Sequence, residues 1–417
     1  MSYCGLDFGT SNSTLGHMVG EKPALLALES GKVTLPSAIF YNFDSNDVYY
    51  GRAAIGEYVD GEYGRLMRSI KSVLGTPLMH DKTIVKGKPV AFTDIISHFI
   101  EEMKIRAQKQ SGQAFDQVVM GRPVYFVDGD VEADLSAQNA LEKAAKQAGF
   151  KDVLFQYEPI AAALDYEQGI QKEELALIVD LGGGTSDFSV VRLCPTKSKN
   201  IDRKQDILAT GGVHIGGTDF DRHLSLHSVM PHFGYRSPYK EDPKMEMPIS
   251  YHHDLATWHK IHFLYDKETL AGLKSLAMRM EKKHLVDRLI CLIEEKEGHR
   301  LAMGVEKAKI DLTMMQEALM VVDYVGDDFD LHIKRDDLHS AIQKDVVRID
   351  AHIRSTVADA GVALGDITKI FMTGGSTAIP LIREMVVELF PGVEVVDGDR
   401  FGSVGVGLAL DAQKRFA

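Results

Sequence analysis

The 417-residue sequence predicts an α/β protein built from two duplicated halves. Three observations predict it. First, Gly5-Leu6-Asp7-Phe8-Gly9-Thr10-Ser11-Asn12-Ser13-Thr14 and Val179-Asp180-Leu181-Gly182-Gly183-Gly184-Thr185-Ser186-Asp187-Phe188-Ser189 share one grammar: an Asp, then glycines and hydroxyls, then an apolar run. Each suits a β-hairpin with a Gly-rich turn. Second, strand-like and helix-like patterns alternate through the first half. Third, 175–181 reopens the second half with the same strand pattern. Such turns aim backbone N–H groups and hydroxyls at an anion, and the Asp can hold a hydrated divalent cation beside it. Two of them suggest a nucleotide phosphate chain held from both sides.

In chain order, 3–8 and 15–19 read as the first hairpin. Strands continue at 24–28 and 37–41, the latter opened by Pro36. Residues 63–75 have helical spacing and end on Gly75, a C-cap signal. Residues 93–110 read as an amphipathic helix with Thr93 at its N-cap. A buried strand follows at 118–122, a helix at 130–148 closed by Gly149, a strand at 153–156, and a helix at 159–168 opened by Pro159. The stretch 222–300 breaks the pattern and reads as an insertion. It holds Trp258, the only Trp, a Pro-studded segment at 231–248 and helical spacing at 268–296. Helix returns at 303–310. A strand at 369–373 runs into Gly374-Gly375-Ser376. A helix at 380–389, a strand at 393–397 and a helix at 402–414 complete the chain.

Composition sets limits. At 45% hydrophobic and 26% charged residues this is an ordinary globular chain, long enough for two lobes. A net charge of −13 argues against nucleic-acid or anionic-membrane partners, which call for a basic face. Cys4, Cys194 and Cys291 have no metal-type spacing, and a sparse, odd set fits a reduced, cytoplasmic protein; Cys4 reads as core. No signal-peptide pattern opens the sequence, and no run reaches the roughly 18 apolar residues of a membrane span.

Phosphoryl transfer needs charge neutralisation, a positioned nucleophile and a hydrated metal. Asp7 and Asp180 are placed to bind Mg²⁺ through its waters. Gly9, Thr10, Ser11 and Asn12, with Gly182, Gly183, Gly184 and Thr185, supply N–H groups and hydroxyls to phosphates. Gly374, Gly375 and Ser376 lie between a strand and a helix, where backbone can approach a ligand. Gly216-Gly217 likewise opens a helix at Thr218-Asp219-Phe220-Asp221.

These motifs, with Tyr157-Glu158-Pro159-Ile160-Ala161-Ala162-Ala163 and Gly374-Gly375-Ser376-Thr377-Ala378-Ile379-Pro380, resemble in order the ATPase domain of the heat-shock-70 (DnaK-type) chaperone family. The YegD-type members are the most similar, through 148–151, 155–159 and 398–404. The resemblance implies an actin-like ATPase fold: ribonuclease H-like duplicated lobes with ATP or ADP and Mg²⁺ in the cleft between them. Lobe I would comprise 1–167 and 350–417. Lobe II would span 168–349, with the insertion at about 222–300.

The resemblance also implies roles. Lys71 matches the lysine that positions the attacking water. Glu158 matches the carboxylate that holds Mg²⁺ or that water. Thr185 matches the threonine beside the γ-phosphate, and Asp187 the second Asp of its loop. Glu306, Lys309 and Thr313 match the adenosine-side helix, with Lys309 and Thr313 on one helical face. Two adenine-stacking arginines of the family are replaced by Ile310 and Ala378. Pro123-Val124-Tyr125-Phe126 matches a family segment, but no partner arginine is placed after it. The stretch between Asp221 and Glu306 exceeds the family norm. The acidic-leucine linker and the peptide-binding domain have no match.

The implied function is a slow ATPase with a chaperone role and unidentified protein clients or co-chaperones. An actin-like polymerising ATPase, a small-molecule kinase and a nucleotide-gated module without turnover are the alternatives. Histidines of the insertion include His223/His227 and His259/His262 at helical spacing. No cysteine or clear carboxylate completes a zinc set, so surface or packed histidines are expected. Met278, Met280, Met303, Met314 and Met315 read as core rather than a client groove.

Overall fold

The computed structural model describes residues 2–127, 129–196, 200–325, 329–396 and 402–417. Two five-strand paths repeat one topology. The first runs Asp152–Tyr157, Phe115–Arg122, Ser2–Asp7, Asn12–Val19, Lys22–Leu25. The second runs Glu394–Val396, Lys369–Thr373, Glu174–Leu181, Ser186–Leu193, Ile207–Val213. In each, three consecutive strands form an antiparallel meander, and two later strands add in parallel beside the first. The two Asp-Gly motifs therefore sit at equivalent hairpins. The Leu-Ala-Leu-Ile-Val run of the second half reads as continuous because Ala176, Leu177, Ile178 and Val179 are all buried, as expected of a strand covered on both faces.

The chain forms two compact units. One comprises Met1–His214, Asp350–Thr377 and Val386–Ala417 and holds both sheets; the other comprises Ile215–Ile349 and Ala378–Met385. Residues 350–417 serve both sheets. Lys369–Thr373 and Glu394–Val396 complete the second sheet, because their backbone extends the ladder from Glu174–Leu181. The helix Ser403–Phe416 instead packs against Ser2–Asp7 and the helix Glu158–Glu167.

Glycines make that packing close. A Cβ on Gly5 would overlap the backbone of Leu408 and Ala409, and one on Gly407 would overlap the Ala161 carbonyl. Ser2–Asp7 and Glu158–Glu167 are thus held at backbone contact with one helix. The strand delivers Asp7 at its end, and the helix delivers Glu158 at its start.

Several local expectations change. Residues 63–75 are not a helix. Gly64–Arg68 is a strand paired with Ala38–Asn42, and Ile70–Val73 is a short 3₁₀ turn. The pairing outweighs the helical spacing, Gly64 leaves no room for a Cβ beside Phe40, and Ser69 is left-handed at φ 55°. The helix Phe92–Ser111 is capped by Ala91 without a side-chain bond, so Thr93 lies inside it. Asp130 caps Val131–Gln147 by accepting from the Ala133 N–H at 2.9 Å. Cys4 is buried in the first strand. Of the motif at 398–404, residues 398–401 lie outside the described residues, as does the last residue of the expected strand 393–397.

In the second unit, the helical spacing at 268–296 resolves into Lys267–Ala277 and Lys283–Glu294, separated by a turn. The stretch 222–300 supplies core: Leu255, Ile261, Leu264, Leu273, Val286, Leu289 and Leu292 are buried. Of the five methionines read as core, only Met280 is; Met278, Met303, Met314 and Met315 are exposed. Met314 and Met315 fall in the turn beyond the helix Gly298–Asp311, where no packed face continues. His259 and His262 are exposed, and His223 Nε2 lies 3.1 Å from Asp345.

Gly407→Val tests the helix contact. Overpacking at a backbone interface is expected to cost about 2–4 kcal/mol, read as a lower denaturant midpoint with an unchanged slope. An unchanged midpoint would contradict the close approach.

Candidate functional site

The first unit gathers the two Asp-Gly turns. Asp7 ends its strand and pairs across the hairpin with Thr14; Asp180 pairs with Asp187 on one side and with Thr373 on the other. The turns touch, because a Cβ on Gly183 would overlap the Ser11 hydroxyl. Gly374, left-handed at φ 80°, lies so close to the Leu181 carbonyl that a side chain there would collide with it. The Ser376 hydroxyl reaches the Gly182 carbonyl at 3.4 Å. Gly182 N–H closes its turn on the Thr185 carbonyl at 2.9 Å, and the Thr185 hydroxyl donates to Asp187 at 3.0 Å. Among the described residues, the N–H groups of Thr10, Ser11 and Gly184 donate to no protein acceptor. Free donors on touching turns suit a phosphate.

Lys71 lies on the 3₁₀ turn Ile70–Val73, and its Nζ donates to Glu158 Oε1 at 2.7 Å. Both side chains are largely buried, at 11% and 17% exposure, so this pair is shielded from solvent screening. Burial acts to lower the Lys71 pKa, but the charges of Glu158, Asp7 and Asp180 outweigh it and hold the ammonium above its ordinary value. Burial, then the Glu158 charge, pushes Asp7 up to about 7. Burial, then Asp187 and Glu158, pushes Asp180 to about 7, against the Thr373 hydrogen bond and Lys71.

One ammonium does not balance these carboxylates, and a divalent cation would relieve the excess. The donor set fits a hydrated Mg²⁺ better than a directly ligated ion. Among the described residues, no three His, Cys, Asp or Glu side chains converge as a ligand set.

The second unit holds the remaining sequence-derived residues. Gly216 and Gly217 open the helix Gly217–Leu224, with the Gly216 N–H donating to Asp219 at 2.9 Å. Glu306 and Lys309 lie on Gly298–Asp311. Lys309 is buried, pairing with Asp221 at 2.8 Å and donating to the Gly217 carbonyl at 3.1 Å. Thr313 does not share a helical face with it. The helix ends at Asp311, and the Thr313 N–H and hydroxyl both turn back to the Ile310 carbonyl. Ile310 is 55% exposed.

Sequence reasoning missed three residues of the first unit. Thr373 bonds Asp180, and its only signal was its place just before Gly374-Gly375. Ser37 bonds the first turn, with no signal beyond following Pro36. Arg122 precedes Pro123-Val124-Tyr125-Phe126, whereas the family pattern seeks an arginine after it. Its guanidinium meets both Asp134 oxygens at 2.9 and 2.8 Å and the Pro123 carbonyl at 3.0 Å. Its Cζ lies 5.2 and 5.3 Å from the Phe126 and Tyr157 ring centres.

Fold and site together define a member of the Hsp70 class, built on the actin-like ATPase fold, and comparison with known proteins agrees. The family model described as "Hsp70 protein" matches residues 3–242 and 270–413, so the chain belongs to the Hsp70 family. Among its relatives, the Chaperone protein DnaK of Buchnera aphidicola subsp. Schizaphis graminum (strain Sg) is 26% identical over 439 aligned positions. That alignment covers 97% of this chain and 58% of the relative, so the chain spans little more than half of that protein's length. No helix among the described residues is long and apolar enough to cross a membrane.

The raised carboxyl groups give a signed pH prediction. The folded protein keeps protons on Asp7 and Asp180 up to about 7, while the unfolded chain releases them near 3.8. Their contribution to stability is therefore present below the unfolded value and is lost as pH rises through about 7. Asp7→Asn, which cannot ionise, is expected to raise the nucleotide-free melting temperature by about 2–5 °C near pH ~8 and by less near pH ~5. Equal shifts at both pH values would contradict the charge crowding.

Proposed function

We propose that this chain is a slow, Mg²⁺-dependent ATPase of the heat-shock-70 type with a molecular chaperone role. The Lys71–Glu158 pair beside Asp7, Asp180 and two touching Gly-rich turns carries this reading. Asp7 and Asp180 would hold the Mg²⁺ through its waters. When bound, the ion neutralises phosphate charge. Thr10, Ser11 and Gly184 donate their free N–H groups to the phosphates, with Gly183 and Thr185 lining the second turn. Lys71 orients the attacking water, and Glu158 fixes the ammonium and accepts from that water.

Glu306, Lys309 and Thr313 serve the adenosine side. With Ile310 and Ala378 in place of two guanidinium stacks, adenine is held more weakly, each lost stack being worth about 0.5–2 kcal/mol. The chaperone role, with protein clients or co-chaperones as partners and a cytoplasmic setting, is carried over from family membership and the relative's name. It rests on likeness to a longer protein.

Lys71→Ala tests the reading. ATP is expected to bind within about threefold of wild type while phosphate release falls at least ~100-fold. Unchanged turnover in the variant, or a wild type that binds no ATP with Mg²⁺ present, would overturn it.

A further inference from the structure

Ser37 lies where two parts of the site meet. It is 2% exposed and directly follows the short strand Leu35–Pro36, which pairs with Asn12 and Ser13 at the first Gly-rich turn. Its hydroxyl donates to the Gly9 carbonyl at 2.6 Å and lies 2.9 Å from the Ser13 hydroxyl. Because the single Ser37 proton is committed to Gly9, Ser13 must donate to Ser37. The result is a directed chain from the Ser13 hydroxyl through the Ser37 hydroxyl to the Gly9 carbonyl, all buried or half-buried.

The Ser37 backbone extends the arrangement both ways. Its N–H donates to the Ser11 carbonyl at 2.9 Å, and its carbonyl accepts from the Ser69 N–H at 3.2 Å. Ser69 is the left-handed residue that starts the turn bearing Lys71. With the Gly9 carbonyl tied to Ser37, the Gly9–Thr10 peptide plane is fixed and the unpaired Thr10 N–H keeps one orientation. The Ser11 carbonyl, tied to the Ser37 N–H, anchors the plane after Ser11, so the peptide that carries the unpaired Ser11 N–H is held between two anchored neighbours.

We propose that Ser37 is a positioning residue. Through its hydroxyl it presets the first phosphate turn for the β- and γ-phosphates, and through its backbone it sets that turn's distance from Lys71. Ser37 does not touch the ligand itself. The inference deepens the ATPase reading and rests on it for the identity of the ligand.

The test compares Ser37→Ala, Ser13→Ala and the double variant with wild type. Calorimetric titration with ADP plus Mg²⁺ and, separately, with adenosine reports affinity, and hydrogen–deuterium exchange of residues 8–14 is measured without nucleotide. Ser37→Ala is expected to weaken ADP about tenfold while leaving adenosine within about twofold. It is also expected to speed exchange in 8–14. Ser13→Ala should have the smaller effect, and the double variant should match Ser37→Ala, because Ser13 acts through Ser37. Unchanged ADP affinity with only a lower melting temperature would overturn the inference, as would equal losses for ADP and adenosine. A wild type that binds no nucleotide would sink the ATPase reading. The positioning of the turn would then be judged on exchange alone: faster exchange confined to 8–14 supports it, and no change overturns it.

Discussion

The rest of the site depends on an electrostatic imbalance. Asp7, Glu158 and Asp180 act on the one ammonium of Lys71, with Asp187 adding its charge to Asp180. Lys71 and Glu158 form the close pair, and Asp7 and Asp180 carry the excess as carboxyl groups that keep protons to about 7. Left alone, such a cluster costs stability as pH rises. The fold tolerates it because the groups arrive on rigid elements: the last residue of one strand, the next-to-last residue of another, and the first residue of a helix. Strain held this way persists only where the surrounding structure over-determines it.

Rigidity comes from small residues. Gly5 and Gly407 let the helix Ser403–Phe416 contact the backbone on either side, so that Asp7 and Glu158 share one support. Gly183 admits the Ser11 hydroxyl, and Gly374 admits the Leu181 carbonyl. Each glycine gives up conformational entropy in return for backbone approach. Hydroxyls then lock what the glycines bring together: Ser37 on Gly9, Thr373 on Asp180, Thr185 on Asp187.

What could be read in the sequence follows from this division. Asp-Gly turns are local patterns, so both hairpins and the duplicated order were legible, and Gly374 announced its turn. Lys71 stands out in the sequence only by resemblance, and its surroundings mislead: Leu66, Ile70, Val73 and Leu74 mimic a helical face, whereas the strand partner that decides the matter, Ala38–Asn42, lies far away in sequence. The same non-locality governs where Lys369–Thr373 goes, which follows from its parallel pairing with Glu174–Leu181. The i, i+4 spacing of Lys309 and Thr313 suggests one helical face, but the helix stops at Asp311 with no Gly or Pro to mark its end. Ser37 and Arg122 were invisible for another reason: a lone Ser or Arg has no pattern, and its role exists only once its partners have folded around it.

The most direct test is calorimetric titration of the protein with ADP near pH ~7, with and without Mg²⁺, in two buffers of different ionisation enthalpy. The account predicts binding that requires Mg²⁺ and releases protons, because the cation takes over the charge that the Asp7 and Asp180 protons offset. Binding that ignores Mg²⁺, or that releases no protons, would contradict it.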